Sequence, residues 1–134
     1  MVANKVILLI DDDEIFNYLN SRIVEESGRV NSVKACLSGK EALEYLLTCI
    51  SNGEPLPRLI FLDVKMPLMD GHSFLKSFAE LPQEEVKDVK IAMLSSSLDP
   101  RDVQQSTRYS NVIGFLEKPL DEFKLEEIFQ KIEM

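Results

Sequence analysis

Polar side chains that could do chemistry stand at the ends of four of the five apolar runs in this sequence. They are Asp11, Asp12 and Asp13 after the first run, Asp63 after the third, Ser95 and Ser96 after the fourth, and Lys118 after the fifth. Clustered carboxylates resist joint ionisation, and a hard divalent cation such as Mg²⁺ relieves their repulsion. A cation, an ammonium, a hydroxyl and a free carboxylate are together the parts of a phosphoryl-transfer site, in which a carboxylate can be the nucleophile.

Each of these features alone has an ordinary explanation. An acidic run after a strand is more often a helix cap or a solvated turn, and a lone serine or a Lys-Pro pair in a loop is usually structural. Their joint occurrence at the ends of apolar runs, in order along the chain, is much more specific.

The apolar runs at residues 6–10, 30–37, 59–62, 89–94 and 112–116 predict five strands, of which the second is the weakest. Three are near-continuous, which is typical of central parallel strands covered on both faces. Helical spacing between the runs is shown by Ile15, Leu19 and Ile23; Ala42, Leu43, Leu46, Leu47 and Ile50; Phe74, Phe78 and Leu81; and Leu125, Ile128, Phe129 and Ile132. The helix predicted at residues 100–110 is poor in apolar residues, so we expect it to be weakly anchored.

Helix-start signals agree with this pattern. Ser38 and Glu41 form a capping box, Asp99 precedes Pro100 at a first helical position, and Asp121 can cap the last helix. Strand and helix thus alternate five times, and right-handed crossovers give an α/β fold with an open parallel sheet and helices on both faces.

No repeat or linker divides the chain, so we expect residues 1–134 to form one domain. Ligands bind at the carboxyl ends of the strands in this fold class. Asp11, Asp12 and Asp63 would therefore meet in one pocket, with Lys118 at its rim.

The composition excludes several function classes. A net charge of −8 argues against binding the nucleic-acid backbone and disfavours an anionic membrane surface. The apolar stretch near the N-terminus is too short for a signal peptide, and no stretch approaches the roughly 20 apolar residues of a membrane span. Cys36 and Cys49 are more typical of buried free thiols than of a disulfide. We therefore expect a cytoplasmic protein.

Four segments match in order the signature segments of a known family: ILLIDDDE, FLDVKMPLMDG, IAMLSSS and GFLEKPL. Over essentially its whole length the sequence resembles the CheY-like receiver domains of two-component response regulators. The resemblance implies a flavodoxin-like (βα)5 doubly wound sheet with strand order 2-1-3-4-5. It also implies that Asp63 is the phosphoacceptor.

The same resemblance implies a metal site for Mg²⁺ (or Mn²⁺). Asp11 and Asp12 would be the acidic pair, with Asp12 a direct ligand and Asp11 acting mostly through water. Asp63 and the backbone carbonyl of Lys65 would complete the protein ligands.

For the phosphoryl group, the resemblance gives Ser95 the role of the switch hydroxyl, with Ser96 beside it. Lys118 takes the place of the lysine in the family pattern, and its bond to Pro119 is expected to be cis. Phe115 stands where the family usually has Tyr or another aromatic. Because a phenyl ring has no hydroxyl to reach for water, we expect Phe115 to favour a buried position.

The leading interpretation is a stand-alone phosphoacceptor switch. A sensor histidine kinase or a histidine phosphotransfer protein would donate to Asp63, and an unknown downstream protein would read the altered surface. Such a domain is no enzyme beyond its own phosphorylation and dephosphorylation. One alternative is a small haloacid-dehalogenase-type phosphohydrolase with Asp11 as nucleophile and Asp13 as acid/base, which leaves Asp63 without a role. Another is a degenerate receiver that acts only as a binding module.

The sequence also suggests positions for three further side chains. Asp13 is assigned to the start of the first helix, and His72, the only histidine, is expected at the surface. The side chain of Lys65 has three options: to lean over the site, to point into solvent, or to pair with Glu14.

Overall fold

Residues 5–132, which the computed structural model describes, contain five strands and six helices. The strands are β1 (Val6–Ile10), β2 (Ser32–Cys36), β3 (Leu59–Asp63), β4 (Lys90–Ser95) and β5 (Val112–Glu117). The helices are α1 (Glu14–Glu26), α2 (Gly39–Asn52), α3 (Gly71–Phe78), α4 (Gln83–Val86), α5 (Pro100–Ser106) and α6 (Glu122–Lys131).

The five strands form one sheet in the order β2-β1-β3-β4-β5, and every neighbouring pair is parallel. This order confirms the predicted flavodoxin-like fold. Every residue of β3 is buried, as a central strand covered on both faces requires. The carboxyl ends of all five strands consequently lie along one edge of the sheet.

Side-chain alternation along the strands divides the core into two halves. Leu8, Ile10 and Ile60 face one side, where they pack with Phe74 of α3 and Leu46 of α2. Alternate strand residues face the other side, against apolar residues of α1 and α6 such as Val24, Leu125 and Phe129. Both faces of the sheet are therefore covered by helices, as predicted.

The residues that α1 buries are mostly not those of its apolar spacing. Ile15 and Leu19 are 69% and 49% exposed, whereas Asn17, Asn20 and Val24 are buried. The apolar spacing of Ile15, Leu19 and Ile23 located the helix correctly, but of these three only Ile23 packs against the core. The physical reason is that the Asn17 side chain finds hydrogen-bond partners at the strand ends, which offsets the cost of burying an amide.

Helix starts follow the predicted signals. Ser38 caps α2, Asp99 caps α5 ahead of Pro100, and Asp121 caps α6, each accepting a hydrogen bond from a first-turn backbone amide. The one-turn helix α4, capped by no side chain, was not predicted.

The prediction that His72 lies at the surface is wrong. Its side chain is 12% exposed and makes a hydrogen bond to Asp102 of α5, because the N-terminal turns of α3 and α5 pack against each other. The weak anchoring expected of α5 agrees with its burial, since Ser106 is the buried residue of that helix. Cys36 and Cys49 are both buried and free. None of the described helices has the length and apolarity needed to cross a membrane.

Candidate phosphoryl-transfer site

Three carboxylates meet at the carboxyl edge of the sheet. Asp11 follows β1 directly, Asp12 is next to it, and Asp63 ends β3, and one oxygen of each lies within 4.8 Å of the others. Asp11 and Asp63 are buried, whereas Asp12 is exposed. The structure therefore brings together the three acids that the sequence placed in one pocket.

Asp63 is held by its strand and by the loop that follows it. Its register partner in β4 is Leu94, and the backbone amide of Lys65 lies 3.4 Å from its Oδ1. The start of α3 approaches so closely that a Cβ on Gly71 would lie 2.8 Å from the Asp63 carbonyl oxygen. Glycine fits there without a shift of the backbone, so the start of α3 packs directly against the backbone of Asp63.

Asp11 is fixed from three sides. Its backbone amide donates to the carbonyl oxygen of Cys36 in β2 at 3.1 Å, and its Oδ1 accepts from the backbone amide of Asp13 at 2.9 Å. The amide Nδ2 of Asn17 donates to its backbone carbonyl at 2.9 Å. Asp13 itself caps α1 by accepting from the amides of Ile15 and Phe16, which confirms its assignment to the helix start.

Lys118 joins the two buried acids. Its Nζ lies 2.7 Å from Oδ2 of Asp11 and 3.2 Å from Oδ1 of Asp63, and all three side chains are largely buried. The ammonium also lies 4.5 Å from the ring centroid of Phe16, within the range of a cation–π contact. The peptide bond between Lys118 and Pro119 is cis, as the resemblance implied.

The charges at this site are unbalanced. Burial, followed by the negative charge of Asp11, raises the pKa of Asp63 to about 6, although Lys118 opposes the shift. Burial alone would lower the pKa of Lys118, but its hydrogen bond to Asp11 and the charge of Asp63 raise it above the ordinary value. The site thus holds three carboxylates, of which two are buried and Asp12 is exposed, but a single ammonium, that of Lys118, lies beside the buried pair. Such a site favours a further cation.

Ser95, Ser96 and Phe115 have different surroundings. Ser95 is buried at the end of β4, where its Oγ accepts from the Ser97 amide at 3.2 Å and its carbonyl accepts from the Lys118 amide at 2.7 Å. Ser96 is exposed and lines the cleft above the acids. Phe115 is half-buried against the core on the α3 face, so its expected preference for a buried position stays a prediction.

The three acids open into a cleft of about 550 Å³ at the sheet edge. Its lining residues are Asp11, Asp12, Asp13, Phe16, Asp63, Lys65, Ser96, Lys118 and Pro119. The exposed Lys65 side chain is thus at the rim of the cleft. Among the described residues it makes no ion pair with Glu14.

Sequence reasoning missed residues that support the site from α1 and α6. Asn17 bonds the carbonyl oxygens of both Asp11 and Cys36, at 2.9 and 3.2 Å. The sequence carries no signal for it, because Asn17 lies off the apolar spacing of Ile15, Leu19 and Ile23. Lys124 bonds two carbonyls of the loop that carries Lys118, and no pattern in the sequence marks it.

Residues 7–130 match the response regulator receiver domain family, so the chain belongs to that family. A probable methanogenesis regulatory protein, FilR2 of Methanothrix harundinacea, is 30% identical over 95% of this chain and 80% of its own length. The probable C4-dicarboxylate response regulator DctR of Halalkalibacterium halodurans is also 30% identical over 95% of this chain, which spans 54% of it. The crystal structure of a two-component response regulator from Cytophaga hutchinsonii is 31% identical, with a TM-score of 0.90 over 98% of both chains.

These similarities confirm the predicted family and fold. The domain is of the phosphoacceptor signalling class, and receiver domains of this class generally bind Mg²⁺ at an acidic pocket. The phosphohydrolase alternative is not favoured, because Asp13, its required acid/base, is engaged as the cap of α1. The degenerate-receiver alternative is not favoured either, since the acids and the lysine all lie in one cleft.

Proposed function

We propose that Asp63 is the residue that accepts a phosphoryl group from a phosphohistidine of a partner protein. A carboxylate oxygen of Asp63 forms the new bond to phosphorus as the P–N bond breaks. The electron pair of that bond stays on the histidine nitrogen, and the product is an acyl phosphate. The observation that carries this proposal is the buried Asp63 carboxylate, held at the base of an open cleft with Lys118 at 3.2 Å.

The donor set at the site fits Mg²⁺. Carboxylate oxygens from Asp11, Asp12 and Asp63 lie within 4.8 Å of one another, and oxygen ligands are those that Mg²⁺ prefers. The exposed position of Asp12 leaves room for the waters that this ion retains. We assign the backbone carbonyl of Lys65 as a further ligand. When bound, the ion neutralises charge on the transferring phosphoryl group and orients it.

Lys118, Ser95 and Ser96 would bind the phosphoryl oxygens. The Lys118 ammonium is already beside Asp63, so it can pair with a phosphoryl oxygen there without crossing the cleft. Ser95 ends the neighbouring strand β4, Ser96 follows it, and both supply hydroxyl donors at the same edge. The Ser95 Oγ accepts from the Ser97 amide and keeps its own proton for donation, so a movement of Ser95 toward the phosphoryl group would draw the loop of Ser97 with it.

Apolar side chains around the cleft support a protein as phosphodonor, in the form of a sensor histidine kinase or a histidine phosphotransfer protein. Each of the five strand–helix connections, taken with the first turn of its helix, presents one large exposed apolar residue: Ile15, Leu37, Leu68, Leu98 and Phe123. Apolar groups gathered at one edge are typical of a protein-binding surface. A small phosphodonor would need none of them.

The weakly anchored helix α5 is the element through which phosphorylation would change the surface of the domain. It buries Ser106 and starts directly after the short loop that follows Ser95, so a rearrangement of that loop would be transmitted to it. We propose that phosphorylation alters a protein-binding surface that includes α5. The domain, which we assign to residues 1–134, then catalyses its own phosphorylation and the hydrolysis that returns the Asp63 carboxylate and inorganic phosphate.

The proposal is tested by incubating the protein with acetyl phosphate and Mg²⁺ and measuring its intact mass. The wild type should gain one phosphoryl group, and Asp63→Asn should gain none. Equal labelling of the two proteins would reject Asp63 as the acceptor. Repeated turnover of a phosphate ester without a labelled protein would instead support a phosphohydrolase.

A further inference from the structure

A lysine in the first turn of α6 holds the loop that carries Lys118. The Nζ of Lys124 donates to the carbonyl oxygen of Glu117 at 2.7 Å and to that of Pro119 at 2.9 Å. These are the residues on either side of Lys118. The two carbonyls therefore converge on one ammonium, and the chain between them is clamped at both ends.

The base of this clamp is itself rigid. The backbone amide of Lys124 donates to the N-cap Asp121 at 2.8 Å, and α6 is anchored in the core by Leu125, Ile128 and Phe129. On the strand side, the Lys118 amide donates to the carbonyl oxygen of Ser95 at 2.7 Å. The Lys124 side chain thus connects a fixed helix to the end of a fixed strand.

We propose that Lys124 is a positioning residue for Lys118 in phosphoryl transfer, and this proposal rests on the function proposed above. Hydrogen bonds from a charged ammonium to carbonyl oxygens are among the stronger ones in proteins. They fix the backbone from which the Lys118 side chain reaches Asp11 and Asp63, at 2.7 and 3.2 Å. Without these hydrogen bonds, water replaces Lys124 as the donor to both carbonyl oxygens and the loop becomes more mobile. The Lys118 ammonium then spends less time beside Asp63.

The same helix offers a matched control. Lys131, at the other end of α6, donates from its Nζ to the carbonyl oxygen of Ile113 at 3.1 Å. This is also a bond from an α6 lysine to a β5 carbonyl, but it lies at the start of β5, away from the cleft. A substitution there removes the same kind of bond and the same charge without touching the loop of Lys118.

The experiment compares Lys124→Met, Lys124→Gln and Lys131→Met with the wild type. Since small misplacements of a catalytic group are costly, we expect both Lys124 variants to be labelled by acetyl phosphate and Mg²⁺ about tenfold more slowly. Lys131→Met should stay within about twofold of the wild type, because its bond does not position a reacting group. Urea unfolding of all four proteins shows whether any loss of rate merely follows stability.

A second readout does not depend on phosphorylation. In protein carrying ¹³C at the lysine Cε, the Lys118 signal should shift and broaden in both Lys124 variants and stay unchanged in Lys131→Met. An unchanged Lys118 signal in the Lys124 variants, or an equal loss of labelling rate in Lys131→Met, would overturn the positioning role. Absence of labelling in the wild type would instead refute the proposed function, while the Lys118 signal would still decide whether the clamp exists.

Discussion

The imidazole Nε2 of His72 lies 2.9 Å from the carboxylate oxygen Oδ1 of Asp102, which connects the start of α3 to the first turn of α5. Both side chains are largely buried, at 12% and 19% exposed. The second ring nitrogen, Nδ1, is buried and has no partner among the described residues. When Nε2 donates to Asp102, Nδ1 is left as an acceptor. The hydrogen bond to Asp102 is therefore the polar contact that holds this ring between the two helices.

We predict that His72→Ala and Asp102→Ala each lower the free energy of unfolding by about 1–2 kcal/mol, the usual cost of breaking a partly buried hydrogen bond. In a double-mutant cycle the two losses should not add, because either change alone removes the same contact. Urea unfolding measures both quantities. As a control, Glu26→Gln breaks the exposed pair with Arg22 and should cost less than about 0.5 kcal/mol. Full additivity of the His72 and Asp102 losses would show that the contact is not formed in solution.

A second prediction concerns the buried Asn17. Its amide joins the carbonyls of Asp11 and Cys36, so Asn17→Ala should loosen the loop of Asp11 and Asp12 and weaken Mg²⁺ binding several-fold. Isothermal titration of the unphosphorylated protein with Mg²⁺ measures this. Asn20→Ala is the matched control.

Asn20 is buried on the same helix three residues further on, and within residues 5–132 it makes no hydrogen bond to Asp11 or Cys36. We expect its loss to reduce stability while Mg²⁺ affinity stays at the wild-type value. If both variants bound Mg²⁺ as the wild type does, Asn17 would have a structural role alone.

The buried positions of these two asparagines could not be predicted from the sequence, although much of the fold could. Strand order, helix positions and the meeting of Asp11, Asp12 and Asp63 were predictable, because apolar runs define strands and parallel strands end at one edge. The buried face of α1 was not predictable from apolar periodicity. Two of its three buried residues, Asn17 and Asn20, are polar, and the hydrogen bonds of Asn17 form only once β1 and β2 lie side by side.

The roles of His72 and Lys124 were beyond the sequence for a related reason. His72 bonds a residue 30 positions away, and a lone histidine after a glycine carries no local signal of that partner. Lys124 bonds backbone carbonyls, which every residue possesses, so its pattern is that of any exposed helical lysine. Long-range polar contacts of this kind depend on packing geometry and not on composition.

A third prediction concerns stability against pH without metal. Because burial and the charge of Asp11 raise the pKa of Asp63 from 3.8 to about 6, the folded state holds this proton more tightly than the unfolded state. The stabilisation from the protonated Asp63 carboxyl is therefore fully present below about pH 4, and it is lost as the pH rises through about 6. In buffer with a chelator, Asp63→Asn should exceed the wild type in stability at pH 7 by on the order of 1–3 kcal/mol.

Urea unfolding at pH 4, 5, 6 and 7 measures this difference, which should widen across the series. Added Mg²⁺ should then stabilise the wild type more than Asp63→Asn, since the variant lacks one ligand charge. Glu84→Gln, which alters a carboxylate with an 87% exposed side chain, is the control and should follow the wild type at every pH. A wild type that gains stability relative to Asp63→Asn between pH 4 and 7 without metal would contradict the assigned direction.

The last prediction separates the protein phosphodonor from a small one. Phe123 is 88% exposed in the first turn of α6, beside the loop of Lys118, and it contacts a donor only if that donor is large enough to cover the edge of the cleft. Phe123→Ser should slow transfer from a phosphorylated histidine phosphotransfer protein about tenfold, because exposed aromatic residues often dominate protein interfaces. Labelling by acetyl phosphate should stay within about twofold, since that molecule needs only the cleft.

Leu47→Ser is the control. Leu47 is 47% exposed in the middle of α2, away from the strand ends, so both the transfer rate and the labelling rate should be those of the wild type. Equal slowing with both donors in Phe123→Ser would mean that Phe123 supports the site itself, and equal slowing of protein transfer in Leu47→Ser would place the docking surface elsewhere.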